Sequence, residues 1–167
     1  MKRDRTGAKQ EISGVLERYG DMVYKLALSR TKNVSDAEDI FQEVFLRYIT
    51  AESPFESEEH KKAWLLRVTI NCGNKLFSSA WSRHRAEYDD AVLVEGASGV
   101  EASDEMGVAA AVGKLPEAYR VVVHLFYYED LSIQQICKIL DKKEGTVKSQ
   151  LNRARALLKN VLKEEID

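Results

Sequence analysis

Across 167 residues the chain has only two prolines, two cysteines and no apolar run approaching the roughly 20 residues a membrane-spanning helix requires. With so few prolines, long stretches are free of the residue that most often ends a helix. Cys72 and Cys137 lie far apart and make neither a CxxC pair nor a disulfide framework, so the chain does not read as a stapled secreted domain. The N-terminus, MKRDRTGAKQ, is basic but is followed by amphipathic sequence rather than an apolar signal core, which predicts a cytoplasmic protein. Excess charge is also missing. There are 25 Lys plus Arg against 27 Asp plus Glu, a net charge of -2, which taken as an average argues against a wholly basic nucleic-acid binder. What is present is a globular composition, 44% hydrophobic and 31% charged, at a length suited to one domain or two small ones.

Between Pro54 and Pro116 and on either side of them, apolar residues recur at spacings of three and four, which predicts an all-α fold. A first helix is expected over about Ile12 to Thr31, with Ile12, Val15, Leu16, Tyr19, Val23, Leu26 and Ala27 on one face. Ser35, with Glu38 three residues on, suggests a capping box opening a second helix that buries Ile40, Val44, Phe45, Tyr48 and Ile49. A third, about Lys61 to Arg85, buries Trp64, Leu65, Val68 and Leu76, and contains no acid while carrying Lys61, Lys62, Arg67, Lys75, Arg83 and Arg85. From Glu87 to Glu105 the charge inverts to seven acids and no Lys or Arg, among Gly, Ser and Ala, which reads as a flexible acidic linker. The reading is thus two small helical domains, 1–88 and 106–167, joined by a linker at 89–105. Pro116 fits a first helical position, and Val122, Val123 and Phe126 continue a buried stripe.

The most informative window is LSIQQICKILDKKEGTVKSQLNRARALLKNVL, Leu131 to Leu162. Ser132 caps a short helix with Gln135 three residues on, the helix ends at Leu140, and DKKE is too brief for anything but a tight reversal. Thr146 then opens a helix whose Val147, Leu151, Ala154, Leu158 and Val161 fall on one face at about 100° per residue. Lys148, Ser149, Asn152, Arg155, Lys159 and Lys163 project from the other, with Arg153 at its edge. Lys142 to Lys163 holds seven Lys or Arg and one acid, Glu144, a local charge of +6. Cations for phosphates and Ser, Asn and Arg for base edges are what a major-groove recognition helix needs.

In DAEDIFQEVFLRYI, Asp36, Asp39, Gln42, Glu43 and Leu46 share a helix face with Phe45 beside them, acids with apolar side chains suited to a basic and apolar protein partner. Nothing there resembles a metal site, since the E-x-x-H pairs of carboxylate-bridged bundles are absent. His60, His84 and His124 stand singly, without a nucleophile arrangement, and the glycines form no phosphate loop, so neither catalysis nor a cofactor is expected. EEHKKAWLLRVTINCGNKLFSSAWSRHR mixes cations, amides and aromatics, with Asn71, Asn74 and Lys75 near Phe77 and Trp81, a set able to hold an unstacked single strand. Trp64 belongs to the core stripe.

Taken in order, these motifs resemble the extracytoplasmic-function (group IV) sigma factors of bacterial RNA polymerase. DAEDIFQEVFLRYI is similar to that family's region 2.2, KKAWLLRVTINCGNKL to regions 2.3 and 2.4, KLPEAYRVVVHLFYYEDLSIQQICKIL to the start of region 4 and GTVKSQLNRARALLK to its recognition helix. The resemblance implies a promoter-specificity subunit that is not itself an enzyme. It implies docking on core RNA polymerase through Asp36, Asp39, Gln42, Glu43 and Leu46. It implies capture of a base flipped from the minus-ten element by the loop Ala51 to His60, with Ser57, His60, Arg67, Asn71 and Lys75 at the DNA. Extruding a base costs a few kcal/mol, which a pocket and stacking must offset. It further implies minus-thirty-five recognition by Thr146, Lys148, Ser149, Asn152 and Arg153, with Arg155 on phosphate. The linker would thread the channel of nascent RNA, and a membrane-anchored anti-sigma factor would cover the DNA- and polymerase-binding faces, holding the chain at the inner membrane face. The chain departs from the family pattern in having Gln150 where an arginine is usual and in the acids Glu56, Glu58 and Glu59, which shift base reading in that loop to Ser57 or the backbone. The alternative is a free-standing helix-turn-helix regulator that binds DNA without polymerase.

Overall fold

The computed structural model describes residues 5–51, 55–88 and 104–166, and among them every regular element is helical. The helices α1 (Arg5–Thr31), α2 (Val34–Thr50) and α3 (Glu58–Tyr88) form one group. A second contains α4 (Asp104–Gly113), α5 (Glu117–Val123), α6 (Ile133–Leu140) and α7 (Glu144–Ile166). This is the all-α architecture of two small helical domains that the periodicity predicts. The helices run longer than their apolar stripes: α1 starts at Arg5 and α3 spans Glu58–Tyr88. Residues 89–103 of the acidic linker lie outside the described residues, as do the side chains of Trp81, Arg83 and Arg85.

Ser35 does not cap α2. The chain reverses at Lys32, whose φ is 53°, and the first extended residue after that turn is Asn33. Its side chain accepts the Asp36 amide at 3.0 Å, so the helix is already under way at Ser35. The capping box at α6 forms as expected. Ser132 Oγ accepts from the Gln135 amide at 3.2 Å, and Gln135 Oε1 accepts from the Ser132 amide at 2.9 Å.

Three apolar clusters hold the helices. The first lies among α1, α2 and α3 and includes Val23, Ala27, Ile40, Val44, Phe45, Tyr48, Leu65 and Val68. Trp64 packs on its edge, 6.2 Å from the Tyr48 ring and 5.3 Å from that of Phe55. Leu16 and Ile49, at the margins of their stripes, are exposed instead. The second cluster joins the two groups of helices: Leu26 of α1 and Leu66 and Ile70 of α3 meet Val121, Val122, Leu125, Ile136, Ile139, Val147 and Leu151. Leu65 and Leu66 are both fully buried because α3 is sandwiched, and consecutive helical residues lie about 100° apart. Burying a leucine contributes on the order of 1.5–3 kcal/mol, so this shared cluster is a stabilising interface rather than an incidental contact. A third, smaller cluster packs Val112, Leu115 and Val123 on Ala154 of α7.

Beside the shared cluster two arginines are buried. Arg120 of α5 donates to the carbonyls of Ser29, Arg30 and Leu115, and Arg30 pairs with Glu117 and Asn74 while lying over the Phe77 ring at 5.0 Å. Burial, and for Arg30 also the neighbouring Arg120 charge, pushes each guanidinium down to about 10, so both stay charged at neutral pH. Cations so buried persist because nearly every donor finds an acceptor.

Candidate nucleic-acid interface

The turn between α6 and α7 is set by Asp141, in the left-handed region at φ 53°, after which the Lys142 amide returns to the Cys137 carbonyl at 3.0 Å. α7 then opens at Glu144 and buries Val147, Leu151 and Ala154. That burial turns Thr146, Lys148, Ser149, Asn152, Arg153 and Arg155 outward, and all six are exposed. Lys148 is charge-paired: Glu144, one turn earlier, accepts from its Nζ at 2.7 Å, and this hydrogen bond raises the lysine's pKa. Gln150 is half-buried, and its Oε1 has no partner. A groove of about 820 Å³ runs along the first turns of α7, between Lys143, Thr146, Ser149 and Arg153 on one side and Pro116 and Tyr119 on the other. The side chains of Val161 and Lys163 lie outside the described residues.

On α3 the exposed residues Arg67, Asn71 and Lys75 follow at steps of four and share a face. Lys61, Lys62, Asn74 and Phe77 of that window have partners within the protein. Lys62 reaches Glu129 across the two groups of helices, 3.7 Å from its carboxylate and 3.3 Å from its carbonyl. Asn74 and Phe77 hold Arg30, and Lys61 lies 3.5 Å from Glu58. Asn74 and Phe77, grouped in the sequence with the strand-binding set, thus also hold the buried arginine, Asn74 from an exposed position.

Before α3, Ser57 Oγ accepts the His60 amide at 3.0 Å, and His60 Nδ1 accepts the Glu56 amide at 3.1 Å. Ser57 and His60 thus shape the helix start, and both residues line a cleft of about 580 Å³. Arg67 of α3 and Gln135 and Lys138 of α6 line the same cleft. Residues 52–54 of this loop lie outside the described residues.

On α2, Asp39, Gln42, Glu43 and Leu46 are exposed, Leu46 by 57%. Asp36 is half-buried, and burial, then the Asp39 charge, raises its carboxyl pKa. Glu43 pairs with Arg47 at 3.0 Å. Phe45, read as lying beside this face, is buried in the first cluster.

Sequence periodicity misses Tyr127. Residues His124–Tyr128 form a π-helical turn that leaves Tyr127 and Tyr128 exposed, and the Tyr127 hydroxyl accepts from Arg155 Nε at 2.7 Å. The available signal was the aromatic run Phe126, Tyr127, Tyr128 directly before the α6 cap. Among the described residues no group of His, Cys, Asp and Glu could hold a metal ion.

A basic helix-turn-helix, a second helix with a cationic edge and an acidic-apolar face together define a DNA-binding transcription protein with a protein partner. The sigma-70 region 2 family model matches residues 15–87, and the sigma-70 region 4 model matches residues 105–158. The chain is 30% identical to the ECF RNA polymerase sigma factor SigM of Bacillus subtilis, over 89% of this chain and 93% of SigM. It is 27% identical to SigW of the same organism, over 98% and 95%. Among solved structures it is similar to the sigma factor RpoE of Bartonella quintana in complex with the anti-sigma factor NepR. That likeness has a TM-score of 0.68 at 26% identity and covers 93% of this chain and 96% of that one. The chain belongs to the extracytoplasmic-function RNA polymerase sigma factors of the sigma-70 family. It directs polymerase to promoters in transcription initiation, and the free-standing regulator is not favoured.

Proposed function

We propose that three surfaces divide the work of promoter recognition, the α2 face docking on core RNA polymerase, the α3 face holding the minus-ten element and α7 reading the minus-thirty-five element. The observation that carries this reading is the outward set Thr146, Lys148, Ser149, Asn152, Arg153 and Arg155 opposite buried Val147, Leu151 and Ala154. Arg153 and Ser149 beside the groove suit base edges, while Lys148 exchanges Glu144 for a phosphate. Arg67, Asn71 and Lys75 offer two cations and an amide in line, the minimum for tracking a strand and touching its bases. Ser57 and His60 act at the loop through the helix start they build. Asp36, Asp39, Gln42, Glu43 and Leu46 present carboxylates around an exposed leucine, complementary to a basic and apolar helix of the polymerase.

An anti-sigma partner belongs to the same reading, supported by the likeness to RpoE, which was solved with NepR. Such a partner would cover the polymerase- and DNA-binding faces and, where membrane-anchored, hold the chain at the inner membrane face. Among the described residues no helix is long and apolar enough to cross a membrane.

The test is in vitro transcription with core polymerase, with and without this protein, the transcripts being sequenced. Specific start sites that need both components are expected. Tight binding to a palindromic duplex without polymerase, together with silence when core is added, would overturn the reading.

A further inference from the structure

We propose that Tyr127, which lies outside the recognition helix, is a positioning residue for DNA contact: it sets the Arg155 guanidinium, and through it the Asn152 amide, on the DNA-facing side of α7. The inference rests on the reading of α7 as the minus-thirty-five element reader. The Tyr127 hydroxyl accepts from Arg155 Nε at 2.7 Å, and the guanidinium lies 5.7 Å from the Tyr127 ring centre and 5.5 Å from that of Phe126. Phe126 and Tyr127 stand edge to face, 4.9 Å apart, so two consecutive aromatics flank one cation. The widened turn at His124–Tyr128, where the Leu131 amide reaches back to the Leu125 carbonyl at 3.2 Å, presents this pair beside α7.

The chemistry that remains is directional. Nε is committed to the hydroxyl, so the Nη edge of the guanidinium is the part left to meet a phosphate, and an arginine fork fits phosphate through two parallel N–H groups. Arg155 Nη1 also lies 3.4 Å from Asn152 Oδ1. Arginine can only donate, so the amide must turn its oxygen toward Arg155 and its Nδ2 donor away from it. Outward-facing, that donor suits an acceptor on a base edge, such as a purine N7 or thymine O4. An unrestrained arginine on a helix surface samples many rotamers, and fixing it before DNA arrives removes that ordering cost from binding.

The test uses the full chain as wild type, Tyr127→Phe, Arg155→Ala and the double variant, each bound to core polymerase on a promoter identified by transcript mapping. Tyr127→Phe keeps the ring and deletes only the hydroxyl. It is expected to weaken promoter binding about three- to tenfold, the range of one ordinary solvent-exposed hydrogen bond. Arg155→Ala should lower the salt dependence of log K by about 0.9, the signature of one lost phosphate contact, Tyr127→Phe, which keeps the cation, should lower it by less, and the double variant should match Arg155→Ala. In the free full chain, the Arg155 Nε–H proton should exchange slowly in wild type and quickly in Tyr127→Phe, with unchanged Tm. Equal exchange in both proteins, unaltered promoter binding by Tyr127→Phe, or additive losses in the double variant would overturn the positioning role while leaving the promoter reading intact. A wild type that starts no transcripts sinks that reading, and this proposal falls with it.

Discussion

Arg120 donates through Nη2 to the Arg30 carbonyl at 3.1 Å, placing a cation from α5 on the C-terminal end of α1. Helix C-termini leave carbonyls without intrahelical partners, and a cation there satisfies them and meets the negative end of the helix dipole. The same guanidinium reaches the Leu115 carbonyl at 2.8 Å, so one side chain spans both groups of helices. Arg120→Met fills similar space but leaves these carbonyls buried without donors, an expected loss of about 3 kcal/mol. Urea denaturation measures it, and hydrogen exchange should quicken at the end of α1. Arg120→Lys should recover little, because a compact ammonium cannot reproduce the planar fork.

Gly73 of α3 faces Arg30, one of this pair. A methyl group there would overlap Nε and Cδ of Arg30, which cannot swing aside without leaving Glu117 and Asn74. In an open helix Gly→Ala gains up to about 1 kcal/mol, whereas overpacking costs about 1–3 kcal/mol. Gly73→Ala is therefore expected to destabilise the protein by about 1 kcal/mol. Gly14 has nothing within 4 Å of its added methyl, so Gly14→Ala should be neutral or stabilising. Paired thermal melts compare the two, and a stabilised Gly73→Ala would contradict the packing around Arg30.

The contrast between these arginines and the apolar stripes explains what could be read in advance. Ser132, Gln135 and the spacing of Ile136, Val147, Leu151 and Ala154 reveal the helix-turn-helix because capping and periodicity are local properties. Leu66 and Ile70, four apart, form a second apolar stripe on α3 beside that of Leu65 and Val68, three apart, yet one stripe suffices to propose a helix. Only the sandwiching of α3 shows that both are filled. Arg30 and Arg120 carry no such local signal, since burying their charge depends chiefly on acceptors 44 to 91 residues away that no spacing encodes. Tyr127 and Arg155, 28 residues apart, are hidden for the same reason, whereas the outward set on α7 was legible because its opposite face is apolar.

Tyr19 donates to Glu58 Oε2 at 2.6 Å and ties the middle of α1 to the start of α3. That hydrogen bond is the foremost cause holding the Glu58 carboxyl below its ordinary 4.5, while burial first, then Glu58, raises the Tyr19 phenol. A carboxyl depressed in the folded state contributes stability above its unfolded value and loses it as pH falls through the folded one. Tyr19→Phe should thus lower Tm by a few degrees at pH 7. As pH drops below 4.5 and Glu58 is protonated, the gap to wild type should close. Melts across the acid range check this, and a constant gap would show that the lost stability does not come from the Glu58 charge.

Asp39 and Arg153 test whether the α2 and α7 surfaces are separate in function as they are in position. Both are exposed, and Asp39 makes no ion pair among the described residues, so neither change should disturb folding by more than about 0.5 kcal/mol. Asp39→Ala removes a charge from the face assigned to polymerase and is expected to weaken core binding, with tighter dependence on salt lost in proportion. Arg153→Ala removes a candidate base contact, worth about 1–3 kcal/mol, and should relax sequence preference at the minus-thirty-five element while core binding stays at the wild-type level. Core affinity by fluorescence anisotropy and promoter selection by transcript sequencing separate the effects. Equal losses in both readouts for both variants would mean that α2 and α7 act as one surface, a result the shared cluster of Leu26, Leu66, Ile136 and Leu151 would then have to explain.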